Sequence, residues 1–308
     1  MTASACEALV GATQTCSLSE QFPGFRARSV VGFFRRRPMG VDGEILFQSD
    51  VGARRLNLVI VNRIGQDRID LAAEAVASIY RFQNAARQTD LDRIMPHLGT
   101  NHDWIENFVA AVDALQPFSE PVEAAFDRDA VKQFVDRPGT QFVKWDCRSG
   151  NAAIAGDDRL RWFDLEYSGM RHGAEDFTWL IGDEAWPVAP ETMLDIMNDA
   201  FDPDTGLDRG PYMEYLSVYV TLHCVQRFKL IVKEAQKRGW LSKEKVRKYD
   251  DAGVHPDFAA QLCNVGRFYA DQSALTAPLA GNFDAAMQVF LTSGADAKLS
   301  VGDLVAST

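Results

Sequence analysis

Apolar and polar positions alternate early in this chain and then shift to a helical period. Three strand-like runs occupy Arg26 to Arg36, Glu44 to Ser49 and Leu56 to Ile64, and Val41-Asp42-Gly43 supplies hairpin-turn chemistry between the first two. An antiparallel sheet is expected there. From Ile69 the period changes. Leu71, Ala75, Ile79 and Phe82 recur at helical spacing through Arg87, and further helices are expected over Trp104 to Leu115 and Pro121 to Phe134.

After Pro138-Gly139 the pattern reads as strand, loop, hairpin: Gln141 to Trp145, then a polar loop, then Asn151 to Ala155 and Leu160 to Phe163 around Gly-Asp-Asp. From Phe177 the chain is helical again. The clearest segment is Tyr212 to Lys237, with Tyr215, Leu216, Tyr219, Leu222 and Val225 as a buried stripe; shorter helices are expected over Pro256 to Ala270 and Phe283 to Leu291. Residues 1 to 20 and the tail after Ser293 read as frayed ends. A sheet first, helices after and a polar hairpin between them predict a two-lobed α+β protein with a ligand cleft between the lobes. The expected division is a flexible segment over 1–24, a small β lobe over 25–67, and a helical lobe over 68–308 that carries the loop and hairpin at 141–177.

Composition narrows the function classes. The 308 residues are 46% hydrophobic and 24% charged, the range of an ordinary globular chain. A net charge of -11 argues against nucleic acid and anionic membranes as partners and mildly favours a cationic one. The five cysteines are scattered without CxxC spacing, which supports neither a disulfide framework nor a zinc site. Residues 1 to 20 hold no Lys or Arg and carry Glu7 where a signal core would lie, and no apolar run approaches the roughly 20 residues of a membrane span. A cytoplasmic protein is expected.

The candidate chemistry lies between Lys144 and Phe177. Asp146 and Asn151 stand five positions apart, and Asp164 follows the hairpin. That is the spacing of a phosphoryl-transfer site, in which one carboxylate sits beside the substrate hydroxyl while the Asn and the later Asp hold magnesium. Chance alone supplies about one such Asp/Asn pair in a chain of this composition, so the context carries the weight.

That context resembles the aminoglycoside phosphotransferase and choline kinase superfamily, small-molecule relatives of the protein kinases. The family loop reads roughly His-Gly-Asp-x-(His/Arg)-x-Gly-Asn, and Asp146, Arg148, Gly150 and Asn151 fall in register. Its second motif, Asp-Phe-Glu-x-x-Gly with Asp-Leu seven residues on, is met by Asp164, Glu166, Gly169 and Asp176, with Leu165 for Phe. The resemblance implies that Asp146 orients or accepts the proton of the attacking hydroxyl, with Arg148 beside it on phosphate or on a loop carboxylate. It implies that Asn151 and Asp164 hold Mg²⁺, that Glu166 reaches the second metal or its water, and that Asp176 braces the motif loop. ATP is the implied phosphate donor and a small hydroxyl compound, such as a cationic alcohol, the acceptor.

The upstream part departs from this pattern. The strand Lys that grips ATP in such folds is absent, since the first lysine is Lys132. One threading makes Leu56 to Ile64 the Lys-bearing strand, with Arg63 as a stand-in cation and Glu74 as its helix partner. A second makes the same run the last strand of the small lobe, entering the hinge. Neither offers a Gly-rich phosphate loop, and Lys144 replaces the loop His. Two function classes follow: a small-molecule phosphotransferase, or a kinase-like binding or regulatory protein without turnover. Metal-assisted hydrolysis by Asp146, Asp164 and Glu166 is a third. His172 is read as a structural histidine, and the basic run from Arg227 to Lys248 as a solvated helix face.

Overall fold

Local sequence decides most of the elements in the computed structural model, which describes residues 38–42, 45–48, 50–99, 102–119, 125–249 and 252–293. Strand β1 (Pro38–Asp42) pairs antiparallel with β2 (Ile45–Gln48), so the described part of the run expected as strand over 44–49 is a strand. The run at 26–36, Gly43 of the turn and residues 121–124 lie outside the described residues, as do residues 1–20 and the chain after Ser293.

The run from Leu56 is not a strand. It forms helix α1 (Leu56–Ile60), which buries Leu56, Asn57 and Ile60. Leu-Asn-Leu-Val-Ile satisfies alternation and an i, i+4 face equally well, and the neighbours decide between them. Extended backbone ends at Arg55, which bridges to Ala153, while the Arg54 carbonyl accepts from Ile154 N–H at 2.9 Å. Leu56 and Ile60 then turn inward one above the other, and α1 packs on β4 and the loop before it.

Helix α2 (Gly65–Arg87) buries Ala75, Ile79 and Phe82 of the predicted stripe, with Ala72 and Val76 beside them, while Leu71 is half-buried. It is followed by α3 (Leu91–Ile94), α4 (His102–Ala110) continuing as a 3₁₀ segment over Ala111–Phe118, and α5 (Arg128–Val135). The motif region then supplies β3 (Gln141–Val143), β4 (Ala152–Ile154), β5 (Leu160–Trp162) and β6 (Gly169–Arg171). β4 and β5 form the predicted hairpin, and β3 pairs with β6, so the hairpin and its flanks close a loop around the motif. Gly169 is required there, because a Cβ would lie 2.6 Å from the Pro96 carbonyl.

Helices α6 (Ala174–Ile181), α7 (Pro190–Ala200), α8 (Arg209–Arg238), α9 (Lys243–Tyr249), α10 (Pro256–Ala270) and α11 (Ala280–Ser293) complete the chain. The predicted stripe of α8 is buried, but so is every residue from Tyr215 to Val225. α8 is therefore the central helix, packed by α6, α10 and the 3₁₀ segment, and its small polar members Ser217 and Thr221 bond back to carbonyls four residues earlier. The architecture is α+β and mainly helical, with three two-stranded antiparallel sheets among the described residues. No helix among them is long and apolar enough to cross a membrane.

Candidate functional site

The loop from β3 to β4 presents Asp146, and the chain after β5 presents Asp164. Asp146 carries two hydrogen-bonding neighbours from its own loop. Arg148 donates Nε to Oδ1 at 2.7 Å and Nη2 to Oδ2 at 3.3 Å, and Asn151 donates Nδ2 to Oδ2 and to the main-chain carbonyl of Asp146, each at 3.0 Å. Arg148 thus pairs with a loop carboxylate. Burial opposes ionisation of Asp146, but the bonded Arg148 guanidinium, with Lys144 and Arg227 behind it, holds the carboxyl below its ordinary range.

Asp176, in the first turn of α6, braces this loop from behind as expected. Its carboxylate accepts from the main-chain N–H of Lys144 at 3.0 Å and of Trp145 at 2.8 Å, and from Gln83 Nε2 of α2 at 3.0 Å. Complete burial nevertheless pushes it up to about 6, against these donors. Just past the C-terminal Gly182 of α6, Asp183 accepts from the N–H and hydroxyl of Ser149. The sequence carries no signal for Asp183, which lies in the loop after the helix and outside its periodicity.

Lys144 joins the two loops. Its side chain is fully buried, and Nζ donates to the carbonyls of Asp146 (2.9 Å) and Asp164 (2.8 Å), with Trp145 O at 3.3 Å. The two acidic residues therefore leave the backbone within reach of one ammonium. Asp164 and Glu166 are exposed, and Glu166 accepts from the Tyr167 hydroxyl, whose pKa is raised chiefly by that bond.

The structure does not unite Arg63 with Glu74. Arg63 follows α1 and faces Asp67 on the surface at 3.7 Å, whereas Glu74 is bound at both oxygens by Arg81, at 2.5 and 3.2 Å. With α1 helical, the strand that would aim a cation at phosphate is not formed there. Arg227, read as part of a solvated face, is also corrected: it is buried and forked onto Glu184 at 2.6 and 3.2 Å, and Glu184 accepts from Gly253 N–H. His172 stacks on Tyr215, ring centroids 3.9 Å apart, and accepts from Ala174 N–H.

No protein-family model matches this chain, and no curated protein does either.

Trp145, the neighbour of Asp146 in the chain, belongs to an aromatic cluster. Trp145 lies 6.1 Å from Trp104 and 6.4 Å from Trp179 between centroids, all three half-buried, and Trp179 meets His223 edge-on at 4.5 Å. Among the described residues no three His, Cys, Asp or Glu side chains converge as a preformed metal cage. The three described cysteines, Cys147, Cys224 and Cys263, are buried thiols.

Proposed function

We propose that this chain is a small-molecule phosphotransferase that moves the γ-phosphate of ATP to a hydroxyl of a metabolite or cationic alcohol, on a kinase-like two-lobed fold. The observation that carries the reading is that one buried ammonium bonds the main-chain carbonyls of both Asp146 and Asp164. A hairpin separates these residues in sequence, and the shared donor brings their backbones together.

Asp146 orients the acceptor hydroxyl in this account. Its depressed pKa suits alignment rather than early deprotonation, as a loose transition state demands little of a base. Arg148 and Asn151 fix the carboxylate so that the aligned hydroxyl pays little for ordering. The donor set fits magnesium: Asn151 uses Nδ2 on Asp146 and keeps Oδ1 for a metal, while Asp164 and Glu166 add exposed carboxylates, all hard oxygens. A sparse set is normal for an ion that also takes waters and phosphate oxygens, and the ion would supply neutralisation of phosphate charge. Trp145, next to Asp146 in the chain, and Trp179 are half-buried rings that suit a cationic acceptor together with the acidic net charge, whereas Trp104 already carries Arg171 at 5.1 Å.

Mg-ATP binding tests this reading. At about 100 times Kd, a ligand stabilises the native state by about 2.7 kcal/mol. A rise in Tm is expected with Mg-ATP, reduced by EDTA and by Asp164→Ala; no Mg-dependent rise contradicts the assignment. The helical α1 and the separated Arg63 and Glu74 favour a second reading, a kinase-like binding module. Nucleotide binding without turnover, indifferent to Asp146→Asn, would support that one.

A further inference from the structure

Four described residues other than glycine have positive φ: Trp145 (58°), Asp146 (54°), Asp158 (56°) and Asp164 (63°). Asp158 sits in the β4–β5 turn, where an Asp in the left-handed region is ordinary. The other three stand at the motif, and a bulky Trp is a true outlier in that region. Strain of this kind persists only where the surroundings over-determine it.

The surroundings that do so converge on one atom. Lys144 Nζ donates to the carbonyl of Trp145, of Asp146 and of Asp164, the same three residues, and the ammonium has three donors for these three acceptors. Its stem is fully buried, its N–H is held by Asp176 and its carbonyl accepts from Ser168 Oγ at 3.3 Å, so the clamp is itself anchored. An imidazole, the group expected here from the resemblance, has two ring nitrogens and leaves at least one of these carbonyls without a donor.

We propose that Lys144 is a positioning residue whose ammonium makes the left-handed backbone of Trp145, Asp146 and Asp164 one unit, so that both acidic side chains are aimed together. The geometric part stands by itself; the catalytic consequence rests on the proposed phosphotransferase reading. Removing the donors releases both loops at once, although they are 20 residues apart and lie on either side of an intact hairpin.

Hydrogen–deuterium exchange of the full chain tests this, comparing wild type with Lys144→Met, which keeps the stem and removes the donors. Exchange is expected to rise about tenfold or more over both 145–151 and 163–168, with α8 unchanged. A rise in one segment only, or in neither, overturns the proposal. Lys144→Gln, whose amide serves at most two carbonyls, is expected to lie between wild type and Met, and it is read in place of Met if Met fails to fold. In the Mg-ATP assay Lys144→Met is expected to lower kcat about 100-fold with less than a threefold change in KM for ATP. In Lys144→Ala, propylammonium is expected to restore part of the rate; an unchanged kcat, or a loss confined to KM, overturns positioning. A wild type without any transfer removes the phosphotransferase reading and leaves the exchange result to decide the clamp.

Discussion

At the residue scale, the Arg148 guanidinium is the bonded group that lowers Asp146. Arg148→Gln therefore raises that carboxyl, and the acid limb of a kcat/KM profile is expected to move to higher pH. An unmoved limb would separate Arg148 from Asp146 in function. The bracing by Asp176 is legible in the sequence, since the residue sits where a helix can return its carboxylate to the loop, and the structure places it there on two main-chain N–H groups. The work of Lys144 is not legible, because it depends on where three carbonyls turn, and backbone of positive φ has no signature in Trp or Asp. Arg227 escapes the sequence for a related reason: its partner Glu184 is 43 residues away, and helical position alone cannot reveal a buried pair.

At the element scale, long periodic segments read well and short ambiguous ones did not. Pro256–Ala270 is a helix with the expected ends, and the α2 face holds at Ala75, Ile79 and Phe82, whereas the strand expected over Leu56–Ile64 begins as the helix Leu56–Ile60 because a short, mostly apolar run fits both periods. Strand β6 carried no pattern of its own and exists by pairing with β3. Helix packing yields two predictions. Gly266 of α10 lies against the Phe283 ring of α11, so Gly266→Ala overpacks that contact and costs about 1–3 kcal/mol in urea unfolding. Arg227→Met strands the buried Glu184 carboxylate and costs about 3–5 kcal/mol, much of it recovered when Glu184→Gln is added. If the double variant is no more stable than the single one, the ion pair is not what fixes α8 to the loop at Gly253.

At the scale of the whole molecule, the order of sheet, helices, motif hairpin and helical remainder was readable, and the central place of α8 was not, since a stripe was expected where burial is complete on all sides. The interior also sets a pH response. Burial, with Arg171 and Arg137 beside one ring and Arg227 beside the other, lowers His172 and His223 to about 3. Below about pH 6.5 the unfolded chain takes up protons that these native imidazoles refuse, so stability falls as pH falls, by up to about 1.4 kcal/mol per unit for each. Asp176 acts in the opposite sense: natively raised to about 6, it holds a proton that the unfolded chain has released, and stability from it is lost as pH rises from about 4 to 6. The histidine slope is only half developed at pH 6.5 and reaches its full value about one unit lower, where Asp176 offsets about one of the two imidazoles. His223→Gln removes one imidazole's share and with it most of the net slope between about pH 6 and 5, as measured by urea midpoints at constant ionic strength. An unchanged slope would mean that His223 is protonated in the native state.

Transfer of labelled γ-phosphate from Mg-ATP across a set of hydroxyl compounds, cationic alcohols included, reports on the proposed chemistry at Asp146. Acceptor-dependent transfer is expected, falling by about 10² to 10⁴ in Asp146→Asn. Absence of transfer to every acceptor, or a rate that Asp146→Asn leaves unchanged, would contradict it.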